Sequence, residues 1–181
     1  MITPNEYIQL KAFARQDGFF MGCLWIFTFG CFLGSMEQPD LQIGFMAGVI
    51  LTPVLAYMRL KHFRDKVMSG AISYRRALAF MFLTLAYASM LIAAATYIYF
   101  YFFDNGLFLS TIQQNLSLPE IRQAFTDAGM NPKDLDTQIA TIGEARPIDF
   151  ALNIFCNGII CSTMLAAVLA LFGRRVTRIT A

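Results

Sequence analysis

The chain has 181 residues, of which 57% are apolar and only 14% charged, with a net charge of +2 and a mean hydropathy of +0.54. A soluble surface does not tolerate that balance, so the composition excludes an ordinary water-soluble domain and points to the membrane. The 18 Phe and 7 Tyr agree, because aromatic rings pack against lipid tails or settle at the headgroup boundary.

From the amino end, Thr3, Pro4 and Glu6 have the spacing of a capping box with proline at the first helical position. The segment up to Arg15 then mixes apolar and polar residues, which suits a short helix at the membrane surface or one that runs straight on. Gly18 to Ser35 carries no charge and as a helix rises about 27 Å, close to the hydrocarbon thickness. It is read as a first span rather than a cleaved signal, since no Ala-x-Ala motif follows it.

The short polar turn 36–40 admits only a tight hairpin, which makes the second span, 41–59, an antiparallel neighbour of the first. Pro53 lies within that span, where it removes one backbone donor and is expected to kink the helix or leave a carbonyl near Val49 free. Residues 59–76 then hold Arg59, Lys61, Arg64, Lys66, Arg75 and Arg76 against one acid, Asp65, with His62 as a solvated loop residue. The third span, 78–103, closes on Tyr97, Tyr99 and Phe100 to Phe103, the signature of an interfacial aromatic belt.

Residues 104–147 form the only sizeable hydrophilic stretch. Ser117 with Glu120 repeats the capping-box spacing, Gly129 is placed to end that helix, and Asn131 with Pro132 starts another. The expectation is a pair of short amphipathic helices at about 118–128 and 132–142, with Ile121, Phe125, Leu135, Ile139 and Ile142 inward. The last span, 148–173, has Asp149 at its outer end and is stopped by Arg174, Arg175 and Arg178. The fold class is therefore an all-α membrane protein, one four-helix transmembrane domain over 1–181, with an extracytoplasmic helix pair between the third and fourth spans.

Charge placement orients it. If the amino terminus, the 59–76 loop and the carboxyl tail share one side, that side holds 11 of the 14 Lys and Arg and only Glu6, Asp17 and Asp65 among the acids. The positive-inside rule then puts both termini in the cytoplasm and 104–147 outside. Anionic lipid headgroups are the expected neighbours of these cations, and nothing resembles a nucleic-acid module.

Membrane helices associate where small residues let backbones approach. Gly18, Gly22, Gly30 and Gly34 in the first span, and Gly44 and Gly48 in the second, sit on four-residue spacing and suggest a close hairpin contact, with a homo-oligomer interface as the rival. Asp149, Asn153 and Asn157, continued by Cys161, recur every four residues as a polar stripe on the last span. Its amides need partners, for which Ser89, Thr96 and backbone near Pro53 are the candidates; the alternative is a polar path or headgroup pocket for a lipid or small solute. The four cysteines lie in apolar runs and read as small packing residues. No catalytic residue set, cofactor motif or metal-ligand spacing is legible, so an enzyme is the least supported reading.

Four spans, the basic segment ending in Ile72-Ser73-Tyr74-Arg75-Arg76-Ala77, an insert with Asn131-Pro132 and a last span entered through Pro147 and carrying Gly158 together resemble the bacterial membrane proteins grouped as domain of unknown function 4199. The resemblance implies the inner membrane of a Gram-negative bacterium with the insert in the periplasm. It carries no assigned activity. Because related genes often neighbour a polyprenyl-phosphate glycosyltransferase, it also implies an accessory or scaffold role in envelope assembly with a membrane-protein partner.

Overall fold

The computed structural model describes residues 4–175. Thr3 of the first capping box and Arg178 of the tail lie outside them. Among the described residues the chain forms α1 (Pro4–Gly34), α2 (Leu41–His62), a π-helical turn (Phe63–Val67), α3 (Tyr74–Phe102), α4 (Leu107–Ser117), α5 (Pro119–Asp127), α6 (Pro132–Gly143) and α7 (Pro147–Gly173). The all-α class is as expected. Four stretches, Glu6–Gly34, Leu41–Val67, Tyr74–Phe102 and Pro147–Gly173, are long and apolar enough to cross a membrane, as a multi-pass membrane protein requires.

The surface segment and the first span are one helix. Nothing between Arg15 and Gly18 breaks it, and the inward stripe Leu10, Ala14, Asp17, Gly18 and Met21 continues through the junction at i, i+4, i+7, i+8 and i+11. Helix α2 likewise runs on through Pro53 to His62.

The chain groups into two compact units, one made of residues up to Ala95 and from Asn153 onward, the other Thr96–Leu152. The core of the first draws Leu10, Ala14 and Met21 from α1, Ala56 and Leu60 from α2, Phe80, Met81, Leu85 and Ala88 from α3, and Ala166, Leu169 and Ala170 from α7. Phe63 of the π-helical turn stacks on Phe80 with ring centroids 4.1 Å apart. Two buried hydroxyls of α3 are satisfied within their own helix: Thr84 donates to the Phe80 carbonyl and Ser89 to that of Leu85. Such back-bonding lets a hydroxyl sit in an apolar core without a second chain segment.

In the second unit the expected helix pair is corrected to three helices. Helix α4 went unread because it follows the aromatic belt directly, yet Phe108, Ile112 and Leu116 recur in it at four-residue spacing. The reversal that makes room for it uses Asn105 at φ 46° and Gly106 at φ 81°. The buried Asp104 carboxylate fixes that reversal by accepting from the backbone N–H of Gly106 at 3.1 Å and of Phe108 at 3.0 Å, which places negative charge at the helix start.

The Ser117 capping box does not form. Ser117 donates to the Gln113 carbonyl inside α4, and α5 begins on Pro119, which has no N–H to cap. Asn131 does cap α6, accepting from the Lys133 N–H at 3.1 Å, and Gly129 ends α5 at φ 89°. Of the residues expected to face inward, Leu135 is buried and Ile121, Phe125, Ile139 and Ile142 are half-buried. Arg122 of α5 pairs with Asp136 of α6. The aromatic belt divides: Tyr101, Phe102 and Phe103 are exposed, whereas Phe100 stacks on Phe150 at 4.3 Å and meets Phe108 edge-on.

Candidate functional site

The polar groups of the first unit occupy two places with opposite character. At the basic end, the starts of α1 and α3 meet the ends of α2 and α7, and several polar contacts there cross between elements. Asp17 of α1 pairs with Arg59 of α2 at 3.4 Å, with side chains 6% and 37% exposed. Arg59 also lies over the Phe20 ring, 4.8 Å from its centroid. Arg76 of α3 reaches Glu6 of α1 at 2.8 Å.

Arg64, buried in the π-helical turn, grips Asp65 through Nε at 2.7 Å and donates from Nη1 to the Gly173 carbonyl at 3.1 Å. That is a cation on the last carbonyls of α7, where the helix dipole favours it. The end of α7 also lies close to α2: a Cβ on Gly173 would stand 2.3 Å from Leu60 Cδ2, so Leu60 would have to shift. Ile72 and Arg175 then close the end with two antiparallel backbone hydrogen bonds, 2.9 and 3.0 Å.

The second place is the outward face of α7. Asn157 Nδ2 donates to Asn153 Oδ1 at 2.8 Å, and both side chains are exposed. Among the described residues neither amide bonds to Ser89 or to the backbone near Pro53, and the Thr96 hydroxyl has no partner. Ser89 instead lies 3.5 Å from Ser162 Oγ, on the opposite side of α7. Geometry explains the miss: Asn153 and Ser162 are nine residues apart, about two and a half turns, so if one faces the core the other faces away.

Asp149 belongs to the second unit. It accepts there from the Arg146 backbone N–H at 2.9 Å and forks onto the Arg146 guanidinium at 3.1 Å, which raises the arginine's pKa further. The three residues of the sequence stripe are therefore an outward amide pair and a separate ion pair that caps the start of α7.

The six candidate packing glycines also separate. A Cβ on Gly44 or Gly48 would strike Cys31 or Thr28 of α1, and one on Gly34 would strike Leu41, so these serve the hairpin. Gly18 and Gly22 bring α1 against α3 instead, where a Cβ would lie 2.6 Å from Tyr87 Cβ or Leu91 Cδ2; Gly30 meets nothing within 4 Å. Four-residue spacing drifts about 40° per step, so one stripe turns from α3 at its start toward α2 at its end. Of the cysteines only Cys31 is buried; Cys23, Cys156 and Cys161 are exposed.

An apolar groove of about 460 Å³ lies beside the hairpin, lined by Trp25, Phe32, Phe45, Val49, Ile154 and Gly158 among others. Within it the Trp25 indole N–H of α1 donates to Thr52 Oγ1 of α2 at 3.1 Å. Among the described residues no group of three or more His, Cys, Asp or Glu is placed to hold a metal ion.

This layout of four long apolar helices and a clamped basic loop extends over the whole region that one sequence family covers. The family described as "Protein of unknown function (DUF4199)" matches residues 16–175. The chain belongs to that family. No curated protein and no solved structure matches it.

In this DUF4199 chain the residues that sequence reasoning missed are Asp17, Arg64 and Asp104. Asp17 carried a usable signal, since it falls on the i+7 position of the Leu10–Ala14–Met21 stripe and so had to be inward. Arg64 carried none: five cations surround it in sequence, and only the π-helical turn selects it for burial.

Proposed function

We propose that the protein is a non-enzymatic accessory or scaffold subunit of the bacterial inner membrane, with both termini and the basic loop in the cytoplasm and 104–147 in the periplasm. One observation carries the reading. Asp17, Arg59, Arg64 and Arg76 at the basic end join helices to each other, while the amides at Asn153 and Asn157 point out of the first unit at the depth of the lipid tails. A polar group in lipid favours a protein partner over hydrocarbon.

The orientation rests on the positive-inside rule, now joined by the meeting of both outer helix ends with the 59–76 loop at one basic end. The family resemblance nominates a polyprenyl-phosphate glycosyltransferase as the partner, and anionic headgroups fit the exposed cations Lys11, Arg15 and Lys61.

Gentle extraction from native membranes followed by affinity capture is expected to bring down a second, different membrane protein in constant ratio. Recovery of this chain free of any other protein overturns the reading. Orientation is checked with impermeant thiol labels: a cysteine at Glu144 is expected to react in intact cells and one at His62 only after lysis.

The groove at Trp25 and Thr52 favours a second reading, a carrier for one lipid tail. Native mass spectrometry is expected to show a retained lipid that Gly158→Leu removes. A lipid unaffected by that substitution counts against it.

A further inference from the structure

The amide pair is one end of a longer seam. Asn153, Asn157, Ile160, Met164, Ala167 and Leu171 follow one another in alternating steps of four and three residues, the heptad spacing of a helix pair. Ile160, Met164 and Leu171 are 58%, 68% and 51% exposed, and no residue of the seam belongs to the core of the first unit. The core residues of α7 lie on the far side: Ala166 is nine residues from Asn157, about two and a half turns. Asn157 stands ten residues into α7, about 15 Å along it and close to mid-bilayer.

The bond between the two amides leaves much unused. Asn157 Nδ2 and Asn153 Oδ1 engage each other, but the Asn157 oxygen, the second Asn157 N–H and both Asn153 N–H groups have no partner among the described residues. We propose that this seam is the interface of a homodimer in which α7 pairs in parallel with α7 of a second copy.

The choice of a second copy follows from the chemistry of the stripe. Copies in one bilayer share an orientation, so a two-fold axis along the membrane normal sets each seam residue opposite itself. A row of carboxylates or ammoniums would repel its own image. An amide carries donors and an acceptor together and is complementary to itself, so the free Asn157 oxygen of one copy accepts from the amide of the other. Asparagine at the core of a helix pair also fixes register and strand number, which apolar positions alone leave loose. Ala167, small and at a seam position, lets the two backbones approach.

This deepens the scaffold reading and rests on it, but its test does not involve the foreign partner. With the native cysteines replaced, Ile160→Cys and Met164→Cys are each oxidised in native membranes, with Ile50→Cys on α2, equally exposed to lipid, as control. Seam cysteines are expected to give a covalent species of twice the chain mass, and the control to give none. Adding Asn153→Leu with Asn157→Leu is expected to lower that yield about tenfold, and Asn153→Gln with Asn157→Gln to retain most of it.

Should the cysteine-free chain fail to fold, photobleaching of a labelled carboxyl tag on the otherwise native chain in dilute liposomes decides: two steps expected, one in the leucine variant. The proposal is overturned by seam cysteines no more reactive than Ile50→Cys, by a yield indifferent to the amides, by single-step bleaching of the native chain, or by an adduct with a different protein. The last outcome would keep the scaffold reading and discard the homodimer.

Discussion

The basic end of the first unit and the outward face of α7 both hold polar side chains in a chain that is mostly apolar, yet they use them in opposite ways. At the basic end, Asp17, Arg59, Arg64 and Arg76 each reach an element other than their own. On α7, Asn153 and Asn157 reach only each other, one turn apart. Polar groups of the first kind are part of the fold, since removing one strands another. Those of the second kind are surplus to it. Substitutions at the basic end should register in folding, and substitutions on the α7 face in assembly.

The largest expected effect is that of Arg59→Ala, which strands the Asp17 carboxylate with a side chain only 6% exposed. Breaking a buried pair from one side costs about 3 kcal/mol, and thermal unfolding of the detergent-solubilised protein should show it. Adding Asp17→Asn should recover most of the loss, because the uncompensated charge is then gone. An Arg59→Ala protein that melts with the native one would remove the contrast on which the two regions are distinguished.

Gly18→Ala comes next and probes the same end by shape instead of charge. The new methyl would stand 2.6 Å from Tyr87 Cβ and 2.7 Å from the Thr84 carbonyl oxygen, a backbone atom that does not yield readily. Overpacking of this kind costs about 2 kcal/mol. Gly30→Ala, three steps along the same stripe, has nothing within 4 Å to meet and should leave the melting temperature unchanged. Equal effects at both glycines would mean that spacing, not the neighbour, sets the cost.

Much of this was legible in the sequence. Uncharged length gave the four spans, and Asn131 and Gly129 gave the bounds of α6 and α5, because those signals are local. Which side of a span is inward was not legible for Asn153 and Asn157. In lipid the outer face is as apolar as the core, so hydropathy has no phase to read, and three of the four cysteines face outward for the same reason. Asp17 is the exception that shows what was available: its stripe continues from an amphipathic segment, where phase survives. The first helix of the insert, α4, was missed because its start depends on Asp104 and on two residues at positive φ, Asn105 and Gly106, and not on a cap of its own.

A smaller effect is expected at Thr96, whose hydroxyl is fully buried and has no hydrogen-bond partner among the described residues. It belongs to neither kind of polar group, being satisfied neither across helices nor toward lipid. Thr96→Val keeps the shape and removes the unpaired oxygen, so the melt should rise by an amount equivalent to about 1 kcal/mol. A loss of stability would instead reveal a partner for that hydroxyl.

The smallest stability effect is the one that separates the regions most cleanly. Asn153→Leu with Asn157→Leu deletes the polar stripe, but the bond it removes lies within one helix and strands nothing elsewhere in the chain. For surface positions of that kind the change should stay within about 0.5 kcal/mol, and in lipid two leucines suit the exposed face better than two amides. The melt should therefore be recorded in detergent at a dilution where the chain is monomeric, since any dimer would add its own concentration-dependent term. A native melt there, set beside lost pairing in membranes, would assign the amides to assembly. A collapse of the monomer would return them to the fold, alongside Asp17 and Arg59.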